Sequence, residues 1–179
     1  EAARDVAYID DSLPLGNGRF LIEPMVLGRM IQMLEVKPED TVLDIGAGTG
    51  YAAAVLSRLC AAVVAVEDLP PLAYAAINAL QKLAFANVVV IANALAAGYL
   101  KQAPYNAILV EGAVEVMPEA LLAQLADGGR LIAVEAGKRG LGGQAKIWER
   151  RGETVSARPL FDASLPLLSG FAAKPGFVF

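Results

Sequence analysis

A short stretch of this sequence places an acid just before alternating glycines, a pattern that could hold a nucleotide. Asp44 lies near the end of an apolar segment. Glycines follow it at alternate positions, namely Gly46, Gly48 and Gly50. Glycine lets the backbone turn with a positive φ and lets a ligand lie against bare main chain. Residues 51–59 then predict a helix, whose first N–H groups would face that ligand.

The glycine spacing narrows the class of ligand. A dinucleotide fingerprint is G-x-G-x-x-G, whereas here the third glycine comes one place early, and no P-loop lysine is nearby. Glu67 ends the next apolar segment, where a carboxylate would accept hydrogen bonds from ribose hydroxyls. This D-x-G-x-G-x-G pattern resembles the S-adenosylmethionine site of Rossmann-like methyltransferases. The alternative is a glycine-rich turn without a ligand, and the register of Asp44, the glycines and Glu67 favours the ligand site.

The composition argues against several other functions. The net charge of −4 disfavours a nucleic-acid surface built on phosphate contacts. The absence of His removes His-based triads and His-liganded metals, and a single Cys allows no internal disulfide. Hydrophobic residues make up 56% of the chain, yet each apolar run is interrupted before the roughly 20 residues of a membrane span. We therefore expect neither a nucleic-acid partner nor a membrane segment.

The elements around the glycine turn alternate between strands and helices. Strands are predicted at 41–45, 62–66, 87–91, 105–110 and 130–134, and helices at 24–35, 51–59, from 70 onward and at 118–125. This order predicts an α/β fold with a doubly wound, mostly parallel Rossmann-like sheet. Two more strands are predicted at 145–149 and 154–158. The remaining predictions are a loop at 13–19, a mobile hairpin loop at 136–143 and an irregular tail from 159.

Several stretches together resemble protein-L-isoaspartate O-methyltransferases. Residues 7–19, AYIDDSLPLGNGR, are similar to the family's A-Y-x-D-x-x-L-P-I-G-x-G-Q. Further matches are Gly50-Tyr51, 103–108, 118–122 and 128–131. The resemblance runs from about residue 4 to the end and is strongest up to Val134. It implies a single methyltransferase domain over residues 1–179, in which the family's amino-terminal helices, expected before Glu1, are absent.

The resemblance implies S-adenosyl-L-methionine as cofactor and S-adenosyl-L-homocysteine as product. Glu67 matches the acid that binds the ribose, and Asn93 replaces the Asp that usually contacts the adenine amino group. The other cofactor-binding residues implied are Asp44, Gly46, Ala47, Gly48, Gly50, Tyr51, Asp68 and Ala94. The implied substrates are proteins or peptides with damaged Asp or Asn residues, which are methylated for repair, and the implied location is the cytoplasm.

The acceptor half departs from the family. Ile22 replaces the Ser of T-I-S-[QA]-P, which lies at the acceptor site, and Glu23 follows it. Glu111 replaces the Thr of T-A-A-A-P-E-V-P, which helps to hold the acceptor. Alternatively, Ile22 is an ordinary core residue and Glu23 an ordinary helix cap before Pro24. Glu111 follows a predicted strand, where parallel sheets place ligands, so we expect it in the pocket.

Three functional hypotheses remain open on these residues. An isoaspartyl carboxylate is ionised at neutral pH and needs no base, which suits a chain without His. Ile22 cannot donate a hydrogen bond, however, and Glu23 or Glu111, if ionised and facing the pocket, would repel that carboxylate by about 4 kcal/mol at about 4 Å and an effective dielectric of about 20. The chain is therefore an isoaspartyl methyltransferase of weak activity, a methyltransferase with a neutral or cationic acceptor, or a cofactor-binding module without catalysis.

Overall fold

A seven-stranded sheet forms the centre of the protein. The computed structural model describes residues 10–137 and 142–173. Its strands are β1 Leu13–Gly16, β2 Arg19–Leu21, β3 Thr41–Ile45, β4 Ala62–Glu67, β5 Val88–Ala92, β6 Tyr105–Val114, β7 Leu125–Ala136, β8 Gly143–Arg151 and β9 Thr154–Asp162. Strands β3 to β9 form this sheet in the order β5-β4-β3-β6-β7-β8-β9.

The sheet is parallel from β5 to β7, and β8 and β9 continue it as antiparallel strands. The predicted α/β fold with a mostly parallel sheet is therefore confirmed. β3 and β4 are almost wholly buried runs of apolar residues, as expected of parallel strands covered on both faces. The strand order reverses direction between β3 and β6, and ligands of open α/β sheets bind at such a switch point.

The described residues form four α-helices beside the strands: α1 Pro24–Leu34, α2 Tyr51–Leu56, α3 Pro70–Lys82 and α4 Glu119–Leu122. Short 3₁₀ helices span Leu95–Ala97 and Leu100–Gln102. α2 is shorter than the predicted 51–59, because Arg58 and Leu59 donate to carbonyls three residues back and tighten the chain. α4 is a single turn instead of the predicted 118–125. Within the described residues, no helix is long and apolar enough to cross a membrane.

The predicted loop at 13–19 is wrong, because these residues belong to an antiparallel hairpin of β1 and β2. Asn17 and Gly18 form its turn with φ of 51° and 75°. Positive φ at both central residues is what a two-residue hairpin needs, and Asn-Gly is its strongest sequence signal. The hairpin, β1–β2, lies over the glycine turn, as described below.

The strand β6 runs past its predicted end at 110 and bulges. Leu109 and Ala113 of β6 pair with Ile132 and Val134 of β7, so two extra residues lie on the β6 side. β9 extends to Asp162, four residues into the tail predicted to be irregular, whereas the described residues beyond it form no helix or strand. This irregular tail is held to β6, since Ala113 donates to Pro166 O and accepts from Leu168 N, both at 2.9 Å. Of the glycine-rich loop predicted at 136–143, residues 138–141 lie outside the described part.

Candidate functional site

The glycine turn connects β3 to α2 and is fastened to β4. Gly46, Gly48 and Gly50 all have positive φ, at 85°, 53° and 88°. The amides of Gly46 and Ala47 both donate to Val66 O, at 2.9 and 3.2 Å, and Gly50 N donates to Ala47 O at 2.7 Å. The predicted strand, glycine turn and helix are therefore present, at the carboxyl end of the parallel sheet.

Glu67 ends β4 beside this turn and is completely buried. Its Oε2 accepts a hydrogen bond from Gly48 N at 2.9 Å, and its Oε1 accepts one from Leu69 N at 2.9 Å. Oε1 also accepts from Arg19 Nη2 at 2.7 Å. Three donors thus hold the Glu67 carboxylate at the position from which an acid would bind a ribose.

Arg19 is the main residue of the site that sequence reasoning missed. It is 5% exposed, and its Nη2 donates both to Glu67 and to Asp68 Oδ1, at 2.7 and 2.8 Å. A Cβ added to Gly46 would lie 3.2 Å from Arg19 Nη1. The signal was present in the sequence, because this chain has a cation where the family motif ends in Gln. Arg19 therefore holds the hairpin β1–β2 against the glycine turn and the end of β4, which together are called the cofactor corner below.

Asp44 and Glu111 form a second acidic pair on neighbouring strands. Asp44 is completely buried and Glu111 is 5% exposed. Among the described residues, both Asp44 oxygens and Glu111 Oε1 lack a hydrogen-bond donor. Burial raises the pKa of the Asp44 carboxyl to about 7, with Glu67 adding to the rise. Burial and the neighbouring Asp44 raise the pKa of Glu111 well above its ordinary value.

Glu111 lies in the bulge of β6 and does not follow the strand as expected. Bulges re-aim side chains and are common beside active sites. The next residue, Gly112, is equally confined, because a Cβ there would lie 2.5 Å from Leu168 Cγ. The repulsion expected between Glu111 and an acceptor carboxylate requires an ionised Glu111. Burial beside Asp44 disfavours that form, so this repulsion is weakened.

The other residues that the family resemblance implies for the cofactor lie in the glycine turn, at the start of α2 and just after β4 and β5. Ala47 is buried, and Tyr51, which begins α2, is 43% exposed. Asp68 accepts a hydrogen bond from Arg19. Asn93 follows β5 and is joined to β4 through the bond from its backbone N to Glu67 O at 3.3 Å. Its Nδ2 donates to Gly98 O at 2.8 Å, which orients the amide group. Ala94, the next residue, is exposed.

Comparison with known proteins identifies the family. The family model described as Protein-L-isoaspartate(D-aspartate) O-methyltransferase (PCMT) matches residues 1–155. This chain belongs to that family. A protein-L-isoaspartate O-methyltransferase of Roseiflexus sp. (strain RS-1) is 39% identical over 96% of this chain and 78% of its own length. One of Methanoculleus marisnigri is 38% identical over 93% of this chain and 75% of its own length.

Solved structures agree on the fold. A protein-L-isoaspartate O-methyltransferase structure superposes with a TM-score of 0.83 at 24% identity, and the match covers 93% of this chain and 55% of that one. A Plasmodium falciparum chain assigned to the same enzyme class, in complex with S-adenosyl-L-homocysteine, gives 0.74 at 20% identity, covering 93% and 83%. The predicted fold, enzyme class (a carboxyl O-methyltransferase) and cofactor (S-adenosylmethionine) are confirmed at the level of the family.

The residues that match the family's acceptor motif around Ile22 do not line an open site. Ile22 is 2% exposed and belongs to the hydrophobic core cluster. Glu23 occupies the N-cap position of α1, but its side chain makes no capping bond. Asp10 caps the helix instead, since its Oδ1 accepts from Met25 N at 3.1 Å. Burial raises the pKa of Glu23, and the nearby Asp10 and Asp11 add to this.

A cavity of about 430 Å³ lies near the carboxyl end of β6. Its described lining residues are Ala96, Val116, Pro118, Gly170 and Ala172. Val116 and Pro118 belong to the segment that matches the family's acceptor motif. Val116 is 54% exposed, so part of this lining is open to solvent. The cavity is therefore lined in part by the segment that follows the Glu111 bulge along the chain.

Proposed function

We propose that this chain binds S-adenosylmethionine between the glycine turn and Asn93 and methylates isoaspartyl carboxylates of proteins and peptides. The observation that carries the proposal is the fixed Glu67 carboxylate, held by Gly48 N–H beside three glycines of positive φ. A carboxylate in this position accepts hydrogen bonds from two vicinal hydroxyls. Gly46 and Gly48 present bare backbone, and a nucleoside that approaches it closely must displace the side chains of Arg19 and Leu15 that lie there in the free chain.

Each residue of the corner has a separate role in this proposal. Glu67 binds the ribose hydroxyls, and the Asn93 amide accepts a hydrogen bond from the adenine amino group. The residues Ala47, Tyr51, Asp68 and Ala94 line the nucleoside. Arg19 holds one oxygen of Glu67, so its guanidinium must release or share that oxygen when a ribose binds. The cofactor supplies an activated methyl group on a sulfonium.

The acceptor side excludes water and orients the carboxylate. An isoaspartyl carboxylate is already ionised, so no residue has to remove a proton from it. The chain's contribution is to place the acceptor oxygen in line with the methyl group and to keep water out. We assign the cavity at Val116 and Pro118 to the substrate segment. Ile22, at the position of the family's Ser, supplies no hydrogen bond to an acceptor, so we expect turnover of isoaspartyl peptides to be weak.

A different acceptor is the second candidate, and the Asp44–Glu111 pair favours it. An acid in the family's Thr position suits a neutral or cationic acceptor better than a carboxylate, because an ionised Glu111 could attract the cation or take up a proton. The two candidates share the cofactor site and differ in the acceptor alone. The absence of a nucleic-acid partner and the cytoplasmic location stay predictions.

Calorimetric titration with S-adenosylmethionine tests the cofactor site, and methyl transfer from labelled cofactor tests the acceptor. Two peptides of one sequence should be compared, one with isoaspartate and one with ordinary aspartate. We expect the cofactor to bind the parent protein, Gly48→Val and Glu67→Gln to weaken binding, and the exposed Glu119→Gln to leave it unchanged. Label in the isoaspartyl peptide alone supports the first candidate. Cofactor affinity that is equal in all four proteins would overturn the site.

A further inference from the structure

Two carboxyl groups in the cofactor corner lack the partners that buried acids require. Among the described residues, Asp44, the residue before the last of β3, has both oxygens unbonded, and Glu111 of β6 has one unbonded buried oxygen. Burying an ionised carboxylate without hydrogen bonds or a counter-charge is costly, and such a group is neutralised by a proton or a cation. The Asp44–Glu111 pair therefore needs either a proton or a cation to neutralise it.

Burial and the closeness of the two acids favour a proton in the free chain. Asp44 of β3 pairs in register with Leu109 of β6, so Glu111, two residues further along β6, lies near Asp44. Two ionised carboxylates have no hydrogen to share, whereas one proton between them makes a strong bond. The direction of the pKa shifts agrees, since burial raises both. The two groups titrate as a unit, because each changes the charge that the other experiences.

The surrounding charges leave the pair unneutralised. Glu67 of β4 adds negative charge to the pair, and among the described residues Arg19 of β2 is the cation that lowers the pKa of Glu111. The Arg19 guanidinium is already bonded to Glu67 and Asp68. In the part of the chain that the structure describes, no group of three or more acids, His or Cys is placed to bind a metal ion. The geometry therefore suits an organic cation better than a metal.

We propose that Asp44 and Glu111 bind the positive charge of the cofactor, and that this charge displaces a proton that the pair holds in the free chain. The inference rests on the proposed cofactor site and adds a function for Glu111 that the family's Thr could not perform. The proton passes to solvent as the cation enters, and no covalent bond changes. S-adenosylmethionine offers an ammonium and a sulfonium, whereas its demethylated product offers the ammonium alone.

Calorimetry in buffers of different ionisation enthalpy counts the protons released on binding. For the parent protein between pH 6 and 7.5, we expect release of a measurable fraction of a proton and affinity that rises with pH, by at most about tenfold per pH unit. In Glu111→Gln the amide donates to Asp44 and keeps it ionised without a proton, so release falls to near zero. The exposed Glu119→Gln removes the same charge elsewhere and should release as many protons as the parent.

Comparing S-adenosylmethionine with S-adenosylhomocysteine shows which positive charge of the cofactor the pair binds. Equal release with S-adenosylmethionine and S-adenosylhomocysteine assigns the pair to the ammonium, and release with S-adenosylmethionine alone assigns it to the sulfonium. If the parent binds both ligands without releasing a proton, or if Glu111→Gln releases as many protons as the parent, the inference is overturned. Glu111→Thr serves as a second variant should the Gln variant fail to fold. A parent protein that binds neither ligand would instead overturn the proposed function.

Discussion

Arg19 and Glu67 form a buried ion pair, with 2.7 Å between Nη2 and Oε1 and with side-chain exposures of 6% and 0%. The pair joins the hairpin β1–β2 to the end of β4, across the glycine turn. Leu15 of the same hairpin lies close to Gly48, since a Cβ there would be 3.0 Å from Leu15 Cδ1. The hairpin therefore covers the surface against which a nucleoside would lie, and Arg19 uses an oxygen that the ribose needs.

Replacing Arg19 with the family's Gln tests this competition. Arg19→Gln frees Glu67 Oε1 and removes a positive charge from a site for a cationic cofactor. We expect S-adenosylmethionine to bind about tenfold more tightly, the value of one charge-assisted hydrogen bond. The free energy of unfolding should fall by about 3–5 kcal/mol, because a buried carboxylate loses its counter-ion. Calorimetry and denaturant unfolding measure the two effects.

The exposed Arg58 provides the matched control for that change. Arg58→Gln alters the net charge equally but removes a cation that stacks on Phe85, 4.7 Å from the ring centroid, away from the site. It should leave cofactor affinity unchanged. Weaker binding by Arg19→Gln than by the parent would show that Arg19 contacts the cofactor and does not compete with it.

Gly48→Ala separates backbone strain from loss of the close approach. Gly48 has φ of +53°, and Gly152 in the β8–β9 turn has φ of +59° with no atom within 4 Å of an added Cβ. An L-residue in this region costs about 1–2 kcal/mol at either position. Both Ala variants should therefore lose similar stability, while Gly48→Ala alone loses cofactor affinity. Affinity retained by Gly48→Ala would show that the cofactor does not lie against this residue.

The cofactor half was predictable because its signals are local. These signals are Asp44, the alternating glycines and Glu67, which stand at the ends of two short apolar strands. At the end of a parallel strand, glycines allow a turn with positive φ and a carboxylate can accept hydrogen bonds from a ligand. The hairpin was also encoded locally, in Asn17-Gly18, but two Gly and a Pro in seven residues suggested a loop. The Asn-Gly pair between short apolar segments was the stronger signal.

The acceptor half depended on contacts between distant parts of the chain. The bulge in β6 lies where the tail near Leu168 pairs with Ala113. Gly112 is a local signal of a bulge or close approach, but the sequence does not indicate that the distant tail packs against it. Arg19 is 48 residues from Glu67, so their ion pair could not be found from spacing. Burial of Ile22 likewise depends on its neighbours in the folded core.

The raised pKa values of the Asp44–Glu111 pair predict how stability changes with pH. A carboxyl group whose pKa is higher in the folded chain keeps its proton longer when folded. From about pH 4 to about 7, between the ordinary pKa of Asp44 and its value here, the folded chain binds more protons. The free energy of unfolding should therefore fall as pH rises, by up to about 1.4 kcal/mol per pH unit for each such proton.

Comparison with Glu111→Gln isolates this contribution, because all other acids are common to both proteins. The difference in the free energy of unfolding between pH 5 and pH 8 should be smaller in the variant, and the variant should gain on the parent as pH rises. Denaturant unfolding at several pH values measures it. Parallel pH profiles for the two proteins would mean that the pair does not hold the proton assigned to it.

The last prediction concerns the acceptor. The reverse changes Ile22→Ser and Glu111→Thr restore hydrogen-bonding groups of the family, and we expect the double variant to methylate an isoaspartyl peptide about ten- to a hundredfold faster than the parent. Each single variant should gain less. Ile22 lies in the core, so Ile22→Ser also costs about 2–5 kcal/mol of stability. The assay therefore belongs at a temperature where unfolding curves show every variant folded.

Ile22→Val is the control for the core, since it keeps an apolar side chain at a cost of about 0.5–1.5 kcal/mol and adds no hydroxyl. It should not raise turnover. Cofactor affinity should stay nearly constant in Ile22→Ser, because Ile22 does not belong to the glycine turn, so any gain arises at the acceptor. If the parent already turns over as fast as the double variant, the residues at 22 and 111 are neutral toward isoaspartate. The chain is then a fully active isoaspartyl methyltransferase despite both departures from the family motif.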